Sequence, residues 1–230
     1  DIPKLAEAAR QNGAILVVDD TIITPIGQRA LELGADLAVN SLSKFIGGHN
    51  AAIGGSASGS GRIIEEIDKF RRSLGTSMDP FSAFLFLQGI KTLKIRVETS
   101  SQHAAKIAEE LMAMDHIMRV YYPGISDADH HDLAKKLLKN YGAVVSFVLD
   151  QNIEVQKFMS SLEAITPANT MGGVSTLISN PQTMSHRSLS DADRKRIGIT
   201  PSLMRLSVGI EDPSFVIEDI RDALRKSTIQ

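Results

Sequence analysis

Apolar residues recur at helical spacing at the start of the chain, at Ile2, Leu5, Ala6 and Ala9, with Asp1 placed as an N-cap and Gly13 as a left-handed stop. A helix is predicted over residues 2–11, and an N-cap as first residue suggests a chain that begins within a domain. Residues 14–18 form a continuous apolar run rich in β-branched side chains and ending at Asp19, which reads as a strand buried on both faces in a parallel sheet. A second helix is expected over residues 26–33, closed by Gly34, and a second buried strand over residues 36–40 that runs into Ser41-Leu42-Ser43-Lys44. Strand, helix, strand is a βαβ unit, and ligands of open α/β sheets bind beyond the carboxyl ends of such strands. Asp19 and the stretch from Ser41 to Lys44 therefore fall where a site is expected.

A Gly-rich passage spans residues 47–61. Helical patterns follow over residues 62–74 and from Pro80 towards Met114, the second long enough to link two domains. Beyond it, strands are predicted at 120–122, 143–149 and 204–208, and helices at 132–139, 153–162 and 213–224, a second and smaller α/β layer.

Composition narrows the function classes. The 230 residues are 43% hydrophobic and 23% charged with a formal net charge of −2, which suits a soluble globular protein and offers no basic field for nucleic acid. No apolar run reaches the ~18 residues of a membrane span. The absence of cysteine excludes disulfides, thiolate zinc sites and cysteine nucleophiles, and suits a cytoplasmic protein. Gly59-Ser60-Gly61 has Ile64 where a dinucleotide fingerprint needs glycine, and no Gly-Lys pair exists for a P-loop. The adjacent His130 and His131 lack further ligand spacing, so no metal site is expected.

Asp19 and Lys44 lie at the ends of neighbouring strands, 25 residues apart, and can flank one small aromatic ligand, while Ser41 and Ser43 offer hydroxyl donors beside it. Spacing alone also allows a strand-end turn former, a solvated lysine and ordinary loop serines.

The wording of the segments decides between these. Val17-Val18-Asp19-Asp20-Thr21 with Thr24-Pro25, Leu31-Glu32-Leu33-Gly34-Ala35-Asp36, Ser41-Leu42-Ser43-Lys44-Phe45-Ile46-Gly47-Gly48-His49, Gly89-Ile90-Lys91-Thr92-Leu93, Val120-Tyr121-Tyr122-Pro123-Gly124 and Leu203-Met204-Arg205-Leu206-Ser207-Val208-Gly209 occur in the order and spacing of the Cys/Met metabolism (trans-sulfuration) family. The sequence resembles the pyridoxal-phosphate enzymes of that family, such as cystathionine synthases and lyases, methionine γ-lyase and O-acylhomoserine sulfhydrylases.

The resemblance implies a fold-type-I α/β architecture. Residues 1–100 would be the C-terminal part of the cofactor-binding large domain, with a mostly parallel sheet, and residues 101–230 a small C-terminal α/β domain. It implies pyridoxal 5'-phosphate as cofactor, with Lys44 as the Schiff-base lysine, Asp19 as partner of the pyridine nitrogen, Ser41 and Ser43 as phosphate ligands and Thr21 beside the ring. Arg205 would clamp the substrate carboxylate, with Thr170 near the substrate. A planar guanidinium grips a carboxylate by two parallel bonds as lysine cannot, which supports Arg205 independently. The implied reaction is elimination or replacement at the β or γ carbon of a sulfur amino acid or acylated homoserine, in a homodimer or homotetramer. Asp20 stands where the family usually has asparagine, and Ser175 where cystathionine-handling members have glutamate. Family members are longer, so the resemblance also allows a non-catalytic fragment that serves assembly. An aminotransferase would share the Asp19 and Lys44 logic but not the wording around Ser41 and Arg205.

Overall fold

The computed structural model describes residues 1–229. Its first layer opens with α1 (Ile2–Gln11), where the Asp1 carboxylate accepts the Lys4 amide at 3.2 Å. Strand β1 (Val17–Asp19) follows, then one turn of helix, α2 (Thr24–Gly27), and β2 (Leu37–Ser41). β1 runs parallel to β2, with Asp19 opposite Val39. Strand β3 (Gly55–Gly59) pairs antiparallel on the other side of β2, with Ser41 opposite Gly55.

Three local features differ from the sequence expectation. The predicted helix over 26–33 is a single turn, because Gln28 is extended (φ −150°, ψ 141°) and Gly27 gives its carbonyl to the Lys139 amide at 2.8 Å. Val17 and Ile15 remain exposed at 51% and 60%, so β1 is covered on one face rather than two; it is an edge strand of a three-stranded sheet. The predicted long helix breaks at Thr92, giving α4 and α5 below.

From β3 the chain enters α3 (Gly61–Leu74), closed by Gly75 in the left-handed conformation (φ 70°). Helix α4 (Pro80–Lys91) is capped by Asp79, whose carboxylate accepts the Ser82 amide at 2.9 Å. Helix α5 (Leu93–Met112) follows at once. Its first turns pack Leu93 and Val97 against Ile46, and its later turns place Ala104, Ile107, Ala108 and Leu111 in the main core. One helix thus serves both layers.

The second layer contains β4 (Ile117–Tyr121), α6 (His131–Leu137), β5 (Val144–Leu149), α7 (Val155–Ser161), β6 (Thr166–Pro167), β7 (Leu177–Ser179), α8 (Asp191–Arg196), β8 (Leu203–Ser207) and α9 (Pro213–Ser227). Its sheet order is β4-β5-β8-β7-β6. Alternation along β5 and β8 buries Val145, Phe147, Met204 and Leu206 against α5, α7 and α9. Phe147 meets Phe158 of α7 edge to face at 6.3 Å. Asp219 of α9 accepts the amides of Glu163, Ala164 and Ile165 at 2.8–2.9 Å, which ties the end of α7 to the core. Among the described residues no helix is long and apolar enough to cross a membrane, and no group of three or more metal-ligating side chains is present.

Candidate active site

The site forms where β1 and β2 end. Asp19 closes β1, and its Oδ1 accepts two hydrogen bonds from Thr21, from the amide at 3.0 Å and from the hydroxyl at 2.5 Å. The same Thr21 hydroxyl oxygen accepts the Ser41 amide at 2.8 Å. Thr21 therefore laces the ends of the two strands together, and Asp19 Oδ2 takes no hydrogen bond from the described residues. That oxygen is left for something else. Next to it, Asp20 is buried at 5% exposure, and burial, with a smaller push from the Asp19 charge, raises its pKa to about 6. The chain then passes through Thr24, a β-branched residue held at φ 60° and fully buried.

Lys44 sits in a wide, irregular turn, Leu42–Ile46, where its own φ −97° and ψ −130° interrupt the helical path. The flanking side chains anchor it, since Phe45 enters the main core and Ile46 packs with Leu93 and Val97. Lys44 Nζ donates to Thr170 Oγ1 at 2.9 Å, across 126 residues of sequence. Asp19, Asp20, Thr21, Gln28, Ser41 and Lys44 line one cleft of about 510 Å³ together with Met171, and Asp19 and Ser41 also open on an adjoining cleft of about 650 Å³ beside α3. These volumes fall within the usual range for small-molecule sites, roughly 300–1,000 Å³.

The turn through Gly172 brings the second layer to this cleft. A Cβ on Gly172 (φ 84°) would lie 2.4 Å from the Phe45 amide nitrogen, so only glycine allows the approach. Gly172 donates its amide to Ser207 Oγ at 2.8 Å. Arg205, two residues earlier on β8, shares that face by strand alternation. It is partly buried, its Nε is buried without a partner, and burial lowers its pKa, although a guanidinium stays charged. A buried fork with an unused donor suits an anionic ligand.

The structure thus brings together Asp19, Thr21, Ser41 and Lys44 in one cleft, with Thr170 bonded to Lys44 Nζ, while Arg205 lies on β8, on the face of Ser207, and does not itself line the cleft. Ser43 is turned elsewhere. Its hydroxyl accepts the Gly54 amide at 3.0 Å and lines a separate hollow with Gly47, Asn50 and Phe86. Sequence reasoning did not single out Ile22, Ile23, Gln28 and Met171 of the cleft or the burial of Asp20, and it missed Arg96, whose guanidinium reaches the turn that carries Lys44. Arg96 carried a readable signal: it stands at helical spacing with Leu93, Val97 and Ser100, on the buried stripe of α5.

The donor set fits pyridoxal phosphate: a free carboxylate oxygen for a protonated ring nitrogen, an amine for a carbonyl, a strand-end hydroxyl for an oxyanion, and an unsatisfied guanidinium beyond them. Comparisons with known proteins agree in kind. The family model described as "Cys/Met metabolism PLP-dependent enzyme" matches residues 1–225. Cystathionine γ-synthase 1, chloroplastic, of Nicotiana tabacum is 37% identical over 225 residues, covering 97% of this chain and 42% of that protein. Cystathionine β-lyase of Coxiella burnetii is 37% identical over 227 residues, covering 97% of this chain and 59% of that protein. The crystal structure of cystathionine γ-lyase from Lactobacillus plantarum, complexed with L-serine, superposes with a TM-score of 0.95 at 30% identity, over 98% of this chain and 60% of that one. The chain spans about two to three fifths of the length of the relatives it matches.

Proposed function

Because the chain belongs to the Cys/Met metabolism family of PLP-dependent enzymes, we propose that its full-length protein eliminates or replaces a substituent at the β or γ carbon of a sulfur amino acid or an O-acylhomoserine. The observation that carries this reading is the meeting of Lys44 Nζ with Thr170 Oγ1 at 2.9 Å, in the cleft that also receives Asp19 and Ser41.

In the bound state, pyridoxal phosphate supplies an electron-withdrawing ring conjugated to the substrate nitrogen, which acidifies the hydrogen on Cα. The residues of this chain do the rest. Asp19 Oδ2 would face the ring nitrogen and favour its protonated form, while Thr21 fixes the other oxygen so that the carboxylate keeps one orientation. Ser41 offers its hydroxyl to the phosphate. Ser43, the second phosphate ligand in this reading, would have to give up its bond to Gly54. Lys44 Nζ would hold the cofactor and, as a free amine, would take the Cα proton and return it to the substrate. The Thr170 hydroxyl holds that amine in line, and Arg205 grips the substrate carboxylate through two of its donors.

For assembly, we infer a homo-oligomer of at least two chains, supported by the apolar stripe of α4, where Phe81, Phe84, Leu87 and Ile90 are all exposed. Phe84→Asp together with Leu87→Asp should lower the mass seen by light scattering, and an unchanged mass would remove that assignment. The large-domain and small-domain partition near residue 100, and a cytoplasmic location, belong to the same proposal.

The direct test is turnover. The purified full-length protein should be yellow and should release thiol, keto acid or carboxylate from members of the substrate class. Lys44→Ala should lose the colour and at least about 10³-fold in kcat, the scale expected for removal of a general base and covalent anchor. Turnover at the unsubstituted rate in Lys44→Ala would overturn the reading.

A further inference from the structure

The turn that presents Lys44 is not held by its own hydrogen bonds alone. The amides of Gly47 and Gly48 close it by donating to the carbonyls of Leu42 and Lys44, both at 2.8 Å. The carbonyls of Phe45 and Ile46 are left at its open end, and no further helical turn follows to receive them. Arg96 meets both. Its Nη1 donates to Phe45 O at 2.7 Å, its Nη2 to Ile46 O at 3.0 Å and to Gly89 O of α4 at 2.7 Å, and its Nε to Thr92 Oγ1 at 3.0 Å.

Arg96 is 7% exposed, its guanidinium faces three carbonyls and the Thr92 hydroxyl with no ion pair among the described residues, and burial pulls its pKa down. A buried cation without a carboxylate is an expensive arrangement unless its donors are satisfied. One glycine makes room for the guanidinium and another for the backbone of the turn. A Cβ on Gly48 (φ 71°) would lie 1.9 Å from Arg96 Nη1, and a Cβ on Gly89 would lie 2.4 Å from Gly47 O. The break between α4 and α5 at Thr92 belongs to the same construction, because the Thr92 hydroxyl gives to Gly89 O at 3.3 Å and receives Arg96 Nε.

We propose that Arg96 is a positioning residue for Lys44, a single planar clamp that fixes the Lys44 turn against α4 and α5 so that the amine stays at Thr170. This rests on the reading of Lys44 as the cofactor lysine. Lysine at position 96 keeps the charge but cannot span carbonyls from two segments in one plane.

The test uses the full-length protein and hydrogen exchange of the Gly47 and Gly48 amides, with Arg96→Lys, Thr92→Val and, as a control of general stability, Ile220→Val in the distant core. Arg96→Lys should speed exchange at both glycines by about tenfold, the loss of roughly one charge-assisted bond. Thr92→Val, which removes one acceptor at an exposed position, should speed it by about two- to threefold. Ile220→Val should leave the two amides unchanged. In the same Arg96→Lys protein, kcat should fall while KM stays within about threefold, the split expected when the positioning of the reacting amine rather than a substrate contact is lost. Unaltered exchange at Gly47 and Gly48 in Arg96→Lys, or in Thr92→Val should the first variant not fold, overturns the proposal. A full-length protein that carries no pyridoxyl group on Lys44 would overturn the cofactor reading instead, and the exchange result would still decide whether Arg96 holds the turn.

Discussion

Replacing Asp20 by asparagine should stabilise the protein at neutral pH and leave it unchanged in acid. Asp20 is buried beside the Asp19 carboxylate, and its pKa rises from 3.8 to about 6. The folded state therefore holds a proton between pH 4 and 6 that the unfolded state has lost. With more protons bound in the native state, stability falls as pH rises through that window. At 1.36 kcal/mol per pKa unit, the rise from 3.8 to about 6 amounts to about 3 kcal/mol lost by pH 7. Asparagine has no such titration, and the backbone bonds of position 20, to Val39 O and from the Thr24 amide, both at 2.9 Å, do not depend on the side chain. Other carboxylates titrate in the opposite sense, because hydrogen bonds and nearby arginines hold Asp68 low and hydrogen bonds hold Asp79 low. The quantity to follow is thus the difference between the two proteins. Urea unfolding of the cofactor-free full-length forms at pH 4, 5, 6 and 7 should show Asp20→Asn gaining on the parent by about 2–3 kcal/mol across the series, with most of the change between pH 4 and 6. A difference that is constant with pH would refute the buried, proton-holding carboxyl.

Arg205→Lys should raise KM strongly for substrates that carry a carboxylate, by a ΔΔG‡ of roughly 2–5 kcal/mol, and should hardly change cofactor absorbance. A mutant that still prefers an acid over its amide would show that the carboxylate is held elsewhere. Asp219→Ala should destabilise the fold by about 2–4 kcal/mol in urea unfolding, because three amides lose their acceptor at once. Asp219→Asn, which keeps one carbonyl oxygen, should lose less.

The parts of the fold that were legible in the sequence are those with a long period or a strong punctuation mark. Helices α1, α3 and α9 carry clear amphipathic patterns and caps, and β5 and β8 alternate over enough residues to show it. Strand β3 was hidden because Gly-Ser-Ala-Ser-Gly has no apolar alternation. Small residues are needed there, since a Cβ on Gly59 would lie 2.8 Å from Asp36 O. Strand β7, three residues long and buried throughout, is too short for a period to appear. The break at Thr92 depends on hydrogen bonds to Gly89 and Arg96 that no local propensity records.

The candidate site was legible in its motif residues but not in their setting. Asp19, Thr21, Ser41 and Lys44 do converge on one cleft. That Ser43 turns to Gly54 while Ser41 stays in the cleft follows from the wide turn after β2, which ends the simple strand alternation between the two serines. Arg96 was passed over because a lone arginine in a long helix is most often solvated, and only its place on the buried stripe marked it as different.

The central claim is that Lys44 carries the cofactor, and one measurement addresses it most directly. Full-length protein incubated with pyridoxal phosphate is reduced with borohydride, digested, and the pyridoxyl-bearing peptide sequenced by mass spectrometry. The account predicts a single modified peptide, with the pyridoxyl group on Lys44 and none on the exposed Lys91 or Lys94. Label on either of those lysines, or a Lys44 peptide recovered unmodified from yellow protein, would contradict it.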